Sequence, residues 1–317
     1  MLCEHIQVGA ATLDTYLLER ISGVAATQAR PCVLVLPGGG YHHLSAREAE
    51  PVALRFCGAG LHASVLRYSV APACWPQALV ETAATVALLR AHASEWGIDP
   101  NRIVVAGFSA GGHLAGCLGA FWREGWLAAA ASGLLQEADD RTAPVGGSWH
   151  LDSDDVRPNA LVLGYPVITS GEFAHLGSFE NLCGQGGKPL AGDAPANLGA
   201  TAAAGLIQEL SLEKRVGDAW PPTFLWHTFD DQSVPVENSL LLAAALHAVD
   251  VPAELHIFPH GPHGSALGTP ETAMDKCGEL VTDPVTGHTV PRNNAQVQPD
   301  TVATWPALAV RWIRTLG

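Results

Sequence analysis

Basic residues are scarce in this chain, which has 17 Lys and Arg against 31 Asp and Glu and a formal charge of −14. Nucleic-acid binding depends on neutralising phosphates with Lys and Arg, and anionic membrane surfaces attract the same cations. The charge therefore argues against a nucleic-acid or membrane partner. It also repels a polyanionic substrate at long range, so a neutral small molecule or oligosaccharide is the better expectation.

Long apolar runs and paired cysteines are also lacking. No stretch approaches the apolar length needed to span a bilayer, and the start MLCEHIQVGA lacks the features of a signal peptide. The seven cysteines include no CxxC pair, so we expect free, mostly buried thiols in a reducing compartment. These features predict a cytoplasmic protein, unless a leader has been removed. They do not decide between a monomer and a homo-oligomer.

The sequence is rich in apolar residues, at 48%, and short β-branched runs alternate with helical patterns. Strands are predicted at 5–8, 12–19, 32–37, 62–68, 102–108, 160–166, 223–229 and 253–259. Helices are predicted near 47–57 and at 78–97, 113–122, 236–249 and 304–316. The first two strands are expected to pair antiparallel. The alternation predicts an α/β fold of three αβα layers with a mostly parallel central sheet.

No repeat or linker divides the chain, so a single domain is predicted over residues 1–317. Two segments break the alternation and are interpreted as loop insertions at about 132–157 and 276–300. The first is acidic and rich in turn formers, and the second is polar. Long irregular connections in a compact domain are usually functional or mobile loops.

The predicted strand 102–108 ends in Gly107-Phe108-Ser109-Ala110-Gly111 and continues directly into a helix. This is the G-x-S-x-G pattern in the strand, turn and helix context that gives it meaning. Such a turn lifts the serine hydroxyl above the sheet edge, next to a helix N-terminus that favours negative charge. Ser109 is therefore the candidate nucleophile, and the alternative is a glycine-rich helix start without chemistry.

Consecutive glycines follow the strand 32–37, in the order Gly38, Gly39, Gly40 and Tyr41. Backbone N–H groups at such a position can face a cavity without obstruction by side chains. We expect Gly39 and Gly40, together with Ala110 after the serine, to form an oxyanion hole. Phosphate binding is disfavoured, because neither a Lys-Ser/Thr pair nor the G-x-G-x-x-G spacing is present.

An acid and a base follow the next two strand ends. Asp231 is preferred over Asp230 as the acid because it occupies the D-x-x-V-P position, while either aspartate could instead cap the helix at 236–249. His263 is the candidate base, with His260 as the fallback. The chain order of serine, aspartate and histidine is that of the α/β-hydrolase fold.

No cofactor or metal site is expected. The pairs His260-x-x-His263 and His42-His43 lack the helical i, i+4 spacing of histidine ligands, and the sequence contains no H-E-x-x-H. His42 and His43 either touch substrate or lie on a solvated loop. Residues 177–179 and the tryptophans of 122–149 and 220–226 are candidates for pocket walls, although a core position is the better expectation for any one tryptophan.

Six segments carry a resemblance to a known family: PGGGYHHLSAREAEPVALRF, GFSAGGHLAG, LGYPVITSGEFAHLGSFENL, PPTFLWHTFDDQSVPVENSLLLAAAL, ELHIFPHGPHG and WPALAVRWI. Together they resemble bacterial α/β-hydrolase esterases described as acetylxylan or bifunctional acetyl/feruloyl esterases. The resemblance implies a triad of Ser109, Asp231 and His263, with residues 38–40 and Ala110 around the oxyanion. It also implies an ester of a small molecule or oligosaccharide as substrate.

Two other functions compete with the esterase interpretation. A prolyl-oligopeptidase-like peptidase shares the fold and the triad order, but it normally carries a propeller domain for which 317 residues leave no space. A binding protein on an inactive hydrolase fold would have lost a triad member, whereas every triad position is filled here.

Overall fold

The computed structural model describes residues 1–24, 29–137, 148–184, 200–273, 280–282, 289–291 and 301–316. Most of these residues build or cover one sheet of eight strands. The strands are β1 His5–Val8, β2 Ala11–Tyr16, β3 Arg30–Leu36, β4 His62–Arg67, β5 Ile98–Phe108, β6 Ala160–Gly164, β7 Thr223–Thr228 and β8 Ala253–Phe258. Their order across the sheet is β1-β2-β4-β3-β5-β6-β7-β8.

The sheet is mostly parallel, as the sequence predicts. β1 pairs with β2 and β2 with β4 in antiparallel fashion, and every other pairing in the sheet is parallel. The central strands β5, β6 and β7 are apolar runs with residues buried on both faces, which is typical of parallel strands covered by helices on both sides. β5 lies between β3 and β6. Its carboxyl end therefore lies near the middle of the sheet edge, where α/β folds place their chemistry.

The helices are α1 Glu50–Gly58, α2 Gln77–Ala91, α3 Ala93–Trp96, α4 Ala110–Phe121, α5 Gly125–Gln136, α6 Leu176–Leu182, α7 Ala200–Glu209, α8 Glu237–Ala248 and α9 Trp305–Ile313. None of the helices in the described ranges combines the length and the apolar character needed to cross a membrane.

Alternate residues of the strands enter two separate cores. Leu163 and Leu225 pack under α2, α4, α5 and α8, whereas Val162 and Phe224 pack under α1 and α9 on the opposite face. The period of two in a strand sends neighbouring side chains to opposite faces, which explains the division. The predicted three-layer αβα architecture is confirmed.

The boundaries of the two predicted insertions differ from expectation. Residues 132–136 are helical, because they complete α5, so the start of the segment 132–157 was wrong as a loop. Residues 148–157 are irregular except for a turn at 153–156, and 138–147 lie outside the described residues. In the segment 276–300, β9 Leu280–Thr282 and β10 Thr289–Pro291 pair antiparallel, and its other residues lie outside the described ranges.

Candidate active site

Ser109 lies on a strained turn between β5 and α4. Its φ of 53° and ψ of −119° are unusual for a residue with a side chain. The turn is held by its own backbone, since the Ser109 N–H donates to the Gly164 carbonyl at 3.0 Å. A Cβ on Gly107 would come within 2.1 Å of the Gly111 carbonyl oxygen, so the flanking position admits only glycine. The strand and the helix can therefore approach each other closely enough to form the elbow.

The structure brings the three predicted triad residues together from the carboxyl ends of β5, β7 and β8. His263 follows β8, and its Nε2 lies 2.8 Å from Ser109 Oγ. Asp231 follows β7, and its Oδ2 lies 2.7 Å from His263 Nδ1. This continuous chain from carboxylate to imidazole to hydroxyl can withdraw a proton from the serine and stabilise the imidazolium that results.

The side chain of Asp231 is buried and hydrogen-bonded. Its Oδ1 accepts the N–H groups of Ser233 at 2.8 Å and Val234 at 3.0 Å, and its side chain is fully buried. Burial raises the pKa of Asp231, but interactions with His227 and His263 outweigh it and leave this pKa well below its usual value. The group is therefore a carboxylate at neutral pH.

His227 is part of this arrangement, and the sequence reading did not single it out. Its Nε2 lies 3.4 Å from Asp231 Oδ2 and donates to the Val234 carbonyl at 2.9 Å. Its Nδ1 lies 2.8 Å from Ser239 Oγ in α8. The histidine lies inside a buried strand, where nothing in the local pattern distinguishes it from a core residue.

Asp230 and His260, the alternative acid and base, form a second pair beside the triad. His260 Nδ1 lies 3.1 Å from Asp230 Oδ2, and both side chains are exposed. Asp230 Oδ1 accepts the Gly261 N–H at 2.9 Å. Neither aspartate caps α8, which was the alternative to a catalytic role, because α8 begins at Glu237 and has no side-chain cap bond.

The glycines after β3 belong to residues 37–41, which we call the oxyanion loop after its predicted role, and a Cβ on Gly38 would come within 2.9 Å of Ser109 Cβ. Gly39 and Gly40 have φ values of 128° and 64°, and a Cβ on Gly39 would come within 2.0 Å of the His43 carbonyl oxygen. Among the residues that the structure describes, none accepts a hydrogen bond from the N–H of Gly39 or Gly40. Asn181 in α6 holds the loop by donating to the Gly40 carbonyl at 2.9 Å.

The similarity to a solved structure shows which family the chain belongs to. The crystal structure of an acetyl ester-xyloside bifunctional hydrolase from Caldicellulosiruptor lactoaceticus is 36% identical, with a TM-score of 0.67, and the match covers 97% of this chain and 88% of that one. The chain belongs to the α/β-hydrolase esterases. The BD-FAE family model matches residues 18–143 of the esterase, and the prolyl oligopeptidase family model matches residues 207–277.

Two longer relatives agree with this assignment. Endo-1,4-beta-xylanase B from Butyrivibrio fibrisolvens is 33% identical over 76% of the esterase and 33% of its own length. Acetylxylan esterase from Xylanibacter ruminicola is 26% identical over 82% of the esterase and 45% of its own length. The chain thus spans between a third and a half of these curated relatives. The second of these relatives and the solved structure are both named as ester hydrolases.

In the esterase, a buried hydrogen bond holds Tyr41, the last residue of the oxyanion loop. Its hydroxyl donates to His113 Nδ1 at 2.9 Å, and His113 Nε2 donates to the Leu210 carbonyl at 2.9 Å. Burial lowers the pKa of His113 to about 4, so the imidazole is neutral and accepts the tyrosine proton. The sequence reading named Tyr41 only as part of the glycine motif and did not single out His113.

The buried His113 predicts a pH-dependent stability. Burial lowers its pKa from an ordinary value of 6.5 to about 4 in the folded protein, so the unfolded state binds the proton first as pH falls. The contribution is full above about pH 6.5 and declines until about pH 4, by about 3 kcal/mol in all. Denaturant titrations at about pH 7.5 and pH 4 should show this loss in wild type but not in His113→Gln, which is already neutral.

The exposed His247 in α8 provides the control for this prediction. His247→Gln should keep the wild-type difference in the free energy of unfolding between the two pH values. An equal loss in wild type and His113→Gln would show that other groups, and not His113, cause the acid sensitivity.

The wall of the site beside the oxyanion loop comes from α6 and the residue before it. His175 Nδ1 lies 2.9 Å from Ser178 Oγ, and a Cβ on Gly40 would be 3.8 Å from that same oxygen. Burial lowers the pKa of His175, and nearby His263 lowers it further. His175 is a site residue that the sequence reading missed, whereas Ser178 lies in the predicted wall segment 177–179.

Among the described residues, the others singled out from the sequence form no hydrogen bond with the triad side chains. His42 and His43 are exposed on the loop. Trp122, Trp149 and Trp220 are core residues under the helices, as expected for tryptophan. Within the described ranges, no group of three or more His, Cys, Asp or Glu side chains is arranged to hold a metal ion.

Proposed function

We propose that the esterase removes acetyl or other small acyl groups from carbohydrate-derived esters through an acyl-enzyme on Ser109, with His263 as the base and Asp231 as the carboxylate that orients it. The observation that carries the proposal is the pair of hydrogen bonds, 2.8 Å and 2.7 Å long, that join the three side chains. They end on a serine held at a strained elbow above the sheet edge.

Each step of the proposed reaction is assigned to a group of the site. His263 Nε2 accepts the proton of Ser109 as Oγ forms a bond to the ester carbonyl carbon, and the carbonyl oxygen becomes an oxyanion. The N–H groups of Ala110, Gly39 and Gly40 stabilise this oxyanion, each donor typically contributing about 3 kcal/mol. The bond to the alcohol then breaks, and the alcohol leaves with the proton from His263. Water repeats the sequence and releases the acid.

The substrate class is supported by charge and by the relatives. A formal charge of −14 favours a neutral ester over an anionic one. The relatives include an acetylxylan esterase and an acetyl ester-xyloside hydrolase. Acetylated xylo-oligosaccharides are therefore our proposed substrates.

We also propose that residues 1–317 act as one domain. The two cores on the faces of the single sheet include residues from Val8 to Ile313, which joins both ends of the chain in one packing unit. The six described cysteines are free, in keeping with the cytoplasmic location that the composition predicts.

A peptidase is the second candidate, because residues 207–277 match the prolyl oligopeptidase family. That match contains Asp231 and His263, which an esterase and a peptidase of this fold would use in the same way. The two functions therefore differ in the leaving group, and a substrate panel separates them.

The panel should give an unambiguous pattern. The purified chain is expected to release acetate from acetylated xylo-oligosaccharides and to hydrolyse p-nitrophenyl acetate, but to leave a prolyl p-nitroanilide uncleaved. EDTA should not change these rates, because backbone N–H groups hold the oxyanion. The Ser109→Ala variant measures the turnover that does not depend on the serine. Cleavage of the anilide without ester turnover, or activity lost to EDTA and restored by zinc, would contradict the proposal.

A further inference from the structure

Two adjacent side chains, Arg47 and Glu48, lie between the oxyanion loop and the histidine loop (residues 259–266), and the mechanism above gives them no role. They belong to a single 3₁₀ turn, Ala46–Glu48, just before α1. Glu48 is only 2% exposed. A buried carboxyl group is unfavourable unless its oxygens are hydrogen-bonded, so its partners indicate what keeps it there.

Both oxygens of Glu48 accept a hydrogen bond. Oε2 accepts the N–H of Gly38 at 2.8 Å, in the oxyanion loop. Oε1 accepts the hydroxyl of Tyr165 at 2.6 Å, on the other side of the site. A Cβ on Gly38 would come within 2.7 Å of Oε2, so the glycine permits the close approach.

Tyr165 carries the connection to the catalytic base. Its hydroxyl accepts the N–H of Ala266 at 2.9 Å, and its ring packs edge-on against the ring of His263, with centroids 5.0 Å apart. Burial and the charge of Glu48 raise the pKa of Tyr165 well above its ordinary value. The phenol therefore stays protonated and donates to Glu48 while it holds the histidine loop.

Arg47 holds the same loop at a second point. Its Nη1 donates to the carbonyls of Gly264, at 2.6 Å, and Thr272, at 2.8 Å. Gly264 directly follows His263. The two neighbouring side chains thus contact the loops that present the oxyanion donors and the base.

We propose that Glu48 is a positioning residue that fixes the oxyanion loop relative to His263, through Gly38 on one side and Tyr165 on the other. The inference rests on the proposed function, because it assigns these loops their roles. The oxyanion donors and the imidazole must both be placed correctly around Ser109 during the same step. A misplacement of about 1 Å can lower a rate about a hundredfold.

The test is a double-mutant cycle of Glu48→Gln and Tyr165→Phe, with kcat and KM measured on p-nitrophenyl acetate. A glutamine has one acceptor oxygen and one donor nitrogen, so it cannot accept from both Gly38 and Tyr165 as Glu48 does. We expect kcat to fall about tenfold or more with KM changed less than about twofold, because positioning acts on the transition state. The double variant should be about as slow as the slower single variant, since both break one network.

Glu50→Gln is the matched control, because Glu50 is an exposed glutamate two residues away, and it should keep wild-type kcat. A folded Glu48→Gln protein with wild-type kcat, or effects that multiply in the double variant, would overturn the proposal. If Glu48→Gln does not fold, Tyr165→Phe decides, and an unchanged kcat in that variant overturns it. Failure of the proposed function is distinguishable from failure of this inference. It would appear as turnover that persists when Ser109 is replaced in an otherwise wild-type protein.

Discussion

Replacing Ser109 by Ala is expected to lower kcat for p-nitrophenyl acetate by about 10⁶-fold, the loss seen when a triad nucleophile is removed from a protease. The proposed covalent route needs Oγ, and no other atom of the site is placed to form the acyl-enzyme. The melting temperature should stay close to the wild-type value. Within the described part of the chain, the hydroxyl is hydrogen-bonded to His263 alone, and alanine meets the same backbone strain at a φ of 53°.

Covalent labelling makes this prediction specific to one residue. A serine-directed phosphonate should add one equivalent to wild type and none to Ser109→Ala, as measured by intact mass. The exposed Ser94 in α3 is the control, and Ser94→Ala should be labelled and active like wild type. Turnover that persists in Ser109→Ala, with label on a different serine, would require another nucleophile.

The central sheet could be predicted because its signals are local. Strands such as β5 and β7 are apolar runs bounded by turn residues, and such runs indicate strands buried on both faces. The strand, elbow and helix around Ser109 are also contiguous in sequence. The fold and the triad residues therefore followed from short segments of the sequence.

The helices α5, α6 and α7 could not be predicted in the same way. The sequence of α5, GWLAAAASGLLQ, contains Ser132 and Gly133 near its end, and these residue types favour the start of a loop. α6 is only seven residues long, and its place depends on distant contacts such as that of Asn181 with the Gly40 carbonyl. Short helices of this kind are stabilised mainly by packing, which no local pattern reveals.

The supporting residues of the site were missed for a related reason. Glu48 and Tyr165 are hydrogen-bonded across 117 positions of sequence, and a single glutamate or tyrosine carries no local signal of such a partner. His227 and His175 are also isolated histidines without a motif. Sequence motifs identify groups that react, because their backbone context is special, whereas the groups that hold them are defined by tertiary structure.

Changing Asp231 to Asn is expected to lower kcat by about 10⁴-fold, similar to the loss seen in a protease when its triad aspartate is replaced by asparagine. An amide can present its NH₂ to His263 Nδ1, which selects the wrong tautomer of the imidazole. It also lacks the negative charge that stabilises the imidazolium. The low pKa of Asp231 implies that this charge is present in the wild-type protein throughout the neutral range.

Asp230→Asn is the matched control, one residue away and with the same change of charge. Its Oδ1 accepts the Gly261 N–H, which an asparagine oxygen can still accept, and its partner His260 is exposed. We therefore expect kcat to fall by less than about tenfold in Asp230→Asn, because its contacts lie outside the proton path. Steady-state kinetics on both variants rank the two aspartates by their effect on kcat. Circular dichroism should first show that equal fractions of the two variants are folded. A larger loss in Asp230→Asn would transfer the acid to Asp230. It would also leave the 2.7 Å contact between His263 and Asp231 without a catalytic role.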